Sequence, residues 1–264
     1  MGAGDGIVTV KPLSTSLAPA GFEEAVIVQV AMDEEAAPFF ELTESAGESF
    51  TRGIAEFSPR IARLGGAEQK ILLVRSRIGL VNASAAITAA LHIAPVTPLV
   101  ISAGTAGGLH ASVNVGDTVI GTEYIYTDAD ATAFGYARGQ VPGMPETFPS
   151  APRLLEIAQK IELTDFEGSA HCGPMLAGGS FVTAQNVADT RLVFPQAIST
   201  DMETTAIAQV CYNEQVPFIA ARAISDLCGP AADQVFHLEV NLVAPLSARL
   251  ALAVIEKVKE AGKK

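Results

Sequence analysis

The chain has 264 residues, of which 49% are apolar and 17% charged; that balance excludes a largely disordered protein and suits one α/β domain with a sizeable core. Seventeen Lys and Arg against 29 Asp and Glu give a net charge of −12, which excludes broad electrostatic binding of nucleic acid. The three cysteines, Cys172, Cys211 and Cys228, form no C-x-x-C pair, which excludes a disulfide framework or a Cys-rich zinc site and leaves each as a small buried apolar side chain.

Residues 1–22 are rich in Gly, Ser and Pro without a sustained period. They read as a flexible lead-in before a single domain over 23–264. The lead-in lacks the basic start and apolar run of a secretory signal. A soluble cytoplasmic protein with no membrane span is expected, because the longest apolar stretch, 83–106, is broken by His92, Pro95 and Pro98. In chain order, the β-rich runs at 25–30 (AVIVQV) and 71–76 (ILLVRS) predict buried strands. The Ala-rich segment 81–93 predicts a helix. Strands follow at 98–103 and 118–125, then a helix at 152–161 with Pro152 in its first turn. Two short strands are predicted near 175–181 and 197–201, then a helix at 204–212, a strand at 218–224 and a final helix at 240–259. Lys257 and Lys259 suit the C-terminus of that helix. This alternation predicts an α/β sandwich with helices on both faces of the sheet.

Ligands of such sheets bind at the carboxyl ends of strands, and four of these ends carry unusual residues. The first is Ala31-Met32-Asp33-Glu34-Glu35-Ala36. Its acids could simply favour the positive end of a helix dipole, or one could point inward as a general base. The second, Ile101-Ser102-Ala103-Gly104-Thr105-Ala106-Gly107-Gly108-Leu109, has glycines that let a ligand approach the backbone, but not the dinucleotide or P-loop spacing. The third, Ser199-Thr200-Asp201-Met202-Glu203-Thr204, opens a helix with a carboxylate suited either to the dipole or to vicinal hydroxyls. The fourth is Arg222-Ala223-Ile224-Ser225-Asp226, in a very apolar run. There Arg and Asp form either a structural ion pair or a site with a carboxylic acid of raised pKa.

Together these segments resemble the 5′-methylthioadenosine/S-adenosylhomocysteine nucleosidases of the nucleoside phosphorylase superfamily. The most specific stretches are Asp128-Ala129-Asp130-Ala131-Thr132-Ala133-Phe134-Gly135-Tyr136, Gly139-Gln140-Val141-Pro142-Gly143, and the block from Asp201-Met202-Glu203 to Arg222-Ala223-Ile224-Ser225-Asp226. The resemblance implies a three-layer α/β/α sandwich around a mixed twisted sheet. It implies an N-glycosyl hydrolase that releases adenine from 5′-thio-adenosines. Glu35 would activate water, and Asp226, supported by Ser225, would protonate N7 of adenine. Glu203 would bind ribose hydroxyls, and Met202 would pack on the sugar. Phe181 would stack on adenine, with the Val182 backbone reading its edge. Arg222 and Thr105 would help to place the water. Met32, Ala106, Gly107 and Asp201 complete the expected substrate site. Ile78, Phe134, Pro142 and Phe236 would wall the apolar 5′ end, with Phe134 and Pro142 reaching into the partner's pocket of a homodimer. No cofactor or metal is expected, and the four histidines show no ligand spacing. Asp201 stands where many members have Glu, Thr105 where Ser is frequent, and Ala131 where Val is usual.

The chemistry asks for the same residue types. Adenine leaves readily only when protonated. The sugar turns oxocarbenium-like and is stabilised by a nearby carboxylate. A second carboxylate must hold water on the opposite face. Related phosphorylases hold phosphate with an Arg before the Gly-rich turn, where this chain has Ser102. No Arg closely follows Glu35, so hydrolysis is expected rather than phosphorolysis. Hydrolysis of another adenine nucleoside such as an aminofutalosine, and a non-catalytic nucleoside-binding protein, stay as alternatives.

Overall fold

A computed structural model describes residues 19–163, 168–229 and 232–262; the side chains of 233–238 lie outside the described set. The elements run β1 (Val26–Val30), α1 (Asp33–Leu42), β2 (Glu44–Ser45), β3 (Phe50–Arg52), β4 (Ala55–Leu64), β5 (Ala67–Arg75), α2 (Leu80–Ile93), β6 (Val100–Gly108) and β7 (Thr118–Tyr126). A 3-10 turn (Thr132–Phe134) follows. Then come β8 (Phe148–Pro149), α3 (Pro152–Ala158), β9 (Ala170–Ala177), α4 (Val187–Val193), β10 (Ser199–Asp201), α5 (Thr204–Asn213), β11 (Phe218–Asp226) and α6 (Ala232–Ala261).

All strands join one mixed sheet in the order β10-β9-β7-β11-β6-β1-β5-β4-β2, with β3 on β4 and β8 on β7. Side chains alternate between its two faces, as strand geometry requires. On β1, Ile27 enters one core, and Val26, Val28 and Val30 the other. β6 divides Val100 and Ala106 from Ile101 and Ala103, and β11 divides Phe218, Ala220 and Ile224 from Ile219 and Ala221. The first core packs under α2 and α5, the second under α1, α3 and α6. This is the expected three-layer α/β/α sandwich around a mixed sheet.

Two features position the site. β1 runs parallel to β5 and β6, and β6 parallel to β11. The four chain segments leaving these strands therefore emerge on one edge. β10 pairs with β9 and also, antiparallel, with β6, so β6, β11, β7, β9 and β10 close into a five-stranded ring. The sequence predicts this strand, near 197–201, but carries no sign that its pairing with β6 closes a ring.

Several elements depart from the sequence expectation. Phe22, assigned to the lead-in, is buried in the core at 3% exposure. β9 ends at Ala177, so Phe181 lies in the following loop rather than on a strand. α6 begins at Ala232, eight residues before the predicted start at 240, and carries Pro245 inside it. Cys172 is exposed, whereas Cys211 and Cys228 are buried.

Candidate active site

Glu35 lies in the first turn of α1 with Asp33 and Glu34. The latter two face solvent, while Glu35 turns inward and is 2% exposed. Its Oε2 accepts the backbone N–H of Ala31 at 2.8 Å and of Met32 at 3.2 Å. Its Oε1 accepts the Thr105 N–H at 2.7 Å and the Thr105 hydroxyl at 2.9 Å. Four converging donors match an ionised carboxylate, which can only accept.

This approach to β6 depends on Gly104. Its φ is +133°, and a Cβ there would overlap the Glu35 carboxylate. The Gly104 N–H donates to Ser247 Oγ at 2.7 Å, and that hydroxyl donates to Ala221 O at 2.8 Å. α6 thereby ties β6 to β11 behind the site.

Asp226 ends β11 and is 2% exposed. Its Oδ1 accepts the Cys228 N–H at 2.8 Å, and its Oδ2 the Ser225 hydroxyl at 3.1 Å. Burial pushes the Asp226 carboxyl above its ordinary value, against the opposing pull of these donors. A Cβ on Gly107 would lie 2.5 Å from Cys228 Sγ and 3.2 Å from Asp226 Oδ1. The sequence reads these glycines as room for a ligand. In the structure, Gly104 admits Glu35 and Gly107 admits the Asp226–Cys228 turn.

Glu203 precedes α5, and its Oε1 accepts the Gly79 N–H at 2.9 Å. Burial pushes its carboxyl up, while Arg222 pulls it down. Asp201 Oδ1 accepts the N–H groups of Glu203 at 2.8 Å and Thr204 at 2.7 Å, and Oδ2 accepts the Thr204 hydroxyl. Asp201 thus holds the start of α5 with both oxygens. Arg222 lies behind these acids and is 1% exposed. It donates to Thr105 O and Ser102 Oγ, each at 2.8 Å. Its Nε lies 3.2 Å from Asp201 Oδ2, and its Nη2 3.7 Å from Glu203 Oε2. Two carboxylates offset the cost of burying this charge.

These groups meet in one cavity of about 600 Å³ including its open mouth, a size suited to a small organic ligand. Glu35, Thr105, Ala106, Gly107, Asp201, Met202, Glu203, Ser225 and Asp226 line it, as do Met32, Ile78, Phe181 and Val182. Val182 packs with Cys228 beside Asp226, whereas Ile78 adjoins the Gly79 that binds Glu203. Arg222 does not line the cavity: its guanidinium reaches the site through Thr105, Asp201 and Glu203. Phe134 is 83% exposed, and Pro142 also faces solvent; neither lines the cavity of its own chain. The Phe236 side chain lies outside the described residues. Ala31, Ser180, Thr200 and Cys228 also line the cavity. Ala31 and Thr200 fall within the strand-end segments read from the sequence, though neither is given a role there, while Ser180 and Cys228 do not; the signal for Cys228 is its place two residues after Asp226. Among the described residues, no Arg or Lys lines the cavity, and no cluster of His, Cys, Asp or Glu is arranged to hold a metal ion.

Comparison with known proteins places this geometry in a family. The model of the phosphorylase superfamily matches residues 25–260. A 5′-methylthioadenosine/S-adenosylhomocysteine nucleosidase of Staphylococcus carnosus is 38% identical over 192 residues, covering 72% of this chain and 83% of that protein. The crystal structure of the nucleosidase of that name from Neisseria meningitidis, in complex with methylthio-immucillin-A, superposes with a TM-score of 0.80 at 35% identity. It covers 88% of this chain and 99% of its own. The corresponding nucleosidase of Colwellia psychrerythraea, in complex with adenine, gives a TM-score of 0.81 at 33% identity, covering 89% of this chain and 95% of its own. With the fold, the paired buried acids and these matches in agreement, the chain belongs to the 5′-methylthioadenosine/S-adenosylhomocysteine nucleosidase family of the phosphorylase superfamily.

Proposed function

We propose that the chain hydrolyses the N-glycosidic bond of 5′-methylthioadenosine and S-adenosylhomocysteine, releasing adenine and the 5′-thioribose product. The observation that carries this reading is the pair of buried carboxylates flanking β6. Glu35 is fully supplied with donors, and burial raises Asp226. A buried acid whose neutral form is favoured by its surroundings and a second carboxylate held in place by converging donors are the two partners this reaction needs.

In this mechanism Asp226 gives its proton to N7 of adenine, with Ser225 holding the carboxyl in place. The glycosidic electron pair leaves with the base. Of the four donors on Glu35, only the Thr105 hydroxyl can rotate away. A water taking its place on Oε1 yields a proton to Glu35 as its oxygen attacks the anomeric carbon. The Glu203 oxygens accept the ribose hydroxyls, and Met202 packs on the sugar. Phe181 stacks on adenine, and the Val182 backbone reads its edge. Arg222 acts from behind, fixing Thr105 and the two carboxylates. Water is the preferred nucleophile because a phosphate dianion would find no guanidinium or ammonium among the described residues lining the cavity.

The test is adenine release from methylthioadenosine in phosphate-free buffer and again with phosphate. Adenine and free methylthioribose in both buffers are expected. Adenine only with phosphate would make the enzyme a phosphorylase. No adenine in either buffer would overturn the substrate assignment, and competition with an aminofutalosine would then be the next measurement.

A further inference from the structure

Arg77 adopts a left-handed backbone conformation, φ 72°, one of three residues other than glycine to do so among the described residues. A long side chain rarely holds this conformation without support from its surroundings. The support here is the wholly buried Ser76, whose hydroxyl lies 2.8 Å from the Arg77 carbonyl and 3.2 Å from that of Val30.

The consequence is where the guanidinium stands. Arg77 precedes Ile78, which lines the cavity, and Gly79, which binds Glu203. Arg77 Nη1 lies 3.8 Å from Asp33 Oδ2, and Asp33 follows Met32, another cavity residue. Met32 follows β1 and Ile78 follows β5, on the far side of β6 from β11 and Asp226, and Asp33 and Arg77 are their neighbours in the chain. Arg75 grips Asp33 directly and also pairs with Glu56 at 2.6 Å. The Arg77 side chain is 51% exposed and only loosely paired, so it keeps donors to offer.

We propose that Arg77 binds the carboxylate of an amino-acid tail on the 5′ sulfur, with Asp33 facing the ammonium. This pair would set the preference for S-adenosylhomocysteine over methylthioadenosine. The inference rests on the nucleosidase reading above and deepens it. A zwitterionic tail meets both charges of an Arg–Asp pair, whereas a methylthio group meets neither and ends at Met32 and Ile78. A guanidinium is also the side chain best fitted to a carboxylate.

The experiment measures kcat/KM for adenine release from S-adenosylhomocysteine, methylthioadenosine and 5′-butylthioadenosine, whose long tail carries no charge. It compares the wild type with Arg77→Gly and Arg77→Gln. Glycine suits φ 72°, so Arg77→Gly removes the charge while relaxing the backbone. The ratio of S-adenosylhomocysteine to methylthioadenosine is expected to fall about five- to tenfold in both variants, the loss of one exposed charge-assisted contact. The same ratio in the wild type is expected to fall with added salt. The butylthioadenosine ratio is expected to stay level. An unchanged S-adenosylhomocysteine ratio in an active enzyme would overturn the role of Arg77. So would a butylthioadenosine ratio that fell by the same factor. If the wild type released adenine from none of the three, the nucleosidase reading would fall and Arg77's role with it, a result distinct from an unchanged ratio.

Discussion

Asp226 shows how one residue couples stability to function. Burial raises its carboxyl, so the neutral form prevails below the raised pKa and is lost as pH rises through it. Turnover should therefore decline on the alkaline side of a limb lying above the ordinary aspartate range. Asp226→Asn keeps an acceptor for the Cys228 N–H but cannot donate an acidic proton. Its kcat is expected to drop by at least about two orders of magnitude, and the alkaline limb to vanish. Stability has the matching sign. The favourable contribution of the protonated carboxyl is present at low pH and disappears as the group charges inside the cavity. Asp226→Asn should therefore melt higher than the wild type at neutral pH, with the difference shrinking as pH falls into the ordinary aspartate range. Near-normal kcat, or a retained alkaline limb, would remove Asp226 from the role of acid.

At the scale of elements, the site is the end of β6. Glu35 reaches it from α1 and Asp226 from β11, and both can do so because Gly104 and Gly107 present no side chain. Gly104→Ala should cost about 2–4 kcal/mol, from a Cβ at positive φ plus overlap with Glu35. Activity should be lost, because Thr105 and Glu35 can no longer meet. Adding Glu35→Asp shortens the acid by one methylene and should return part of the melting temperature but none of the activity. If the two changes are additive in stability, the overlap is not what makes glycine necessary.

The same scale separates what sequence makes legible from what it does not. The central strands are evident because β1, β6 and β11 are buried along their whole length and carry runs of apolar residues. β4 escapes notice because Pro59 and Arg60 interrupt its pattern, and proline argues against an interior strand. In the structure Pro59 pairs opposite Leu72. Arg60 donates to the carbonyls of Phe40 and Thr43 and to the Thr43 hydroxyl, so its charge sits at the C-terminal end of α1, where the helix dipole favours a cation. That partner is 17 residues away and leaves no local trace. The strand ends draw attention to Glu35, Thr105, Glu203 and Asp226, whereas the remaining site residues and every role come from the family resemblance and not from spacing. Asp201 is read as a pocket carboxylate, and both of its oxygens hold the start of α5. Arg222 is read as a water-placing group, and it lies behind Thr105. Such roles depend on which atoms face one another across the ring of strands, and no spacing in the chain encodes that.

At the scale of the whole molecule, the cavity of one chain has an open mouth, and Phe134 and Pro142, which the resemblance assigns to the 5′ wall, lie outside it. Phe134 is 83% exposed. We propose that the enzyme is a homodimer in which Phe134 and Pro142 close the partner's pocket. In an isologous pair each subunit lends the other the same residues, and that reciprocity can be tested by mixing. A Phe134→Ala homodimer should show a raised KM for thio-substrates with its chemistry intact. A Glu35→Gln homodimer should be inactive while keeping its Phe134. Combined under conditions that exchange subunits, the two should form hybrids in which an intact Glu35 meets a partner that still carries Phe134. Half the sites in each hybrid are then complete, and kcat/KM should rise above the sum of the separate preparations. If Phe134 served its own chain, no hybrid would contain a complete site and mixing would add nothing. Sedimentation velocity on the wild type fixes the starting point: a monomer at assay concentrations would defeat the exchange argument before any mixing is done.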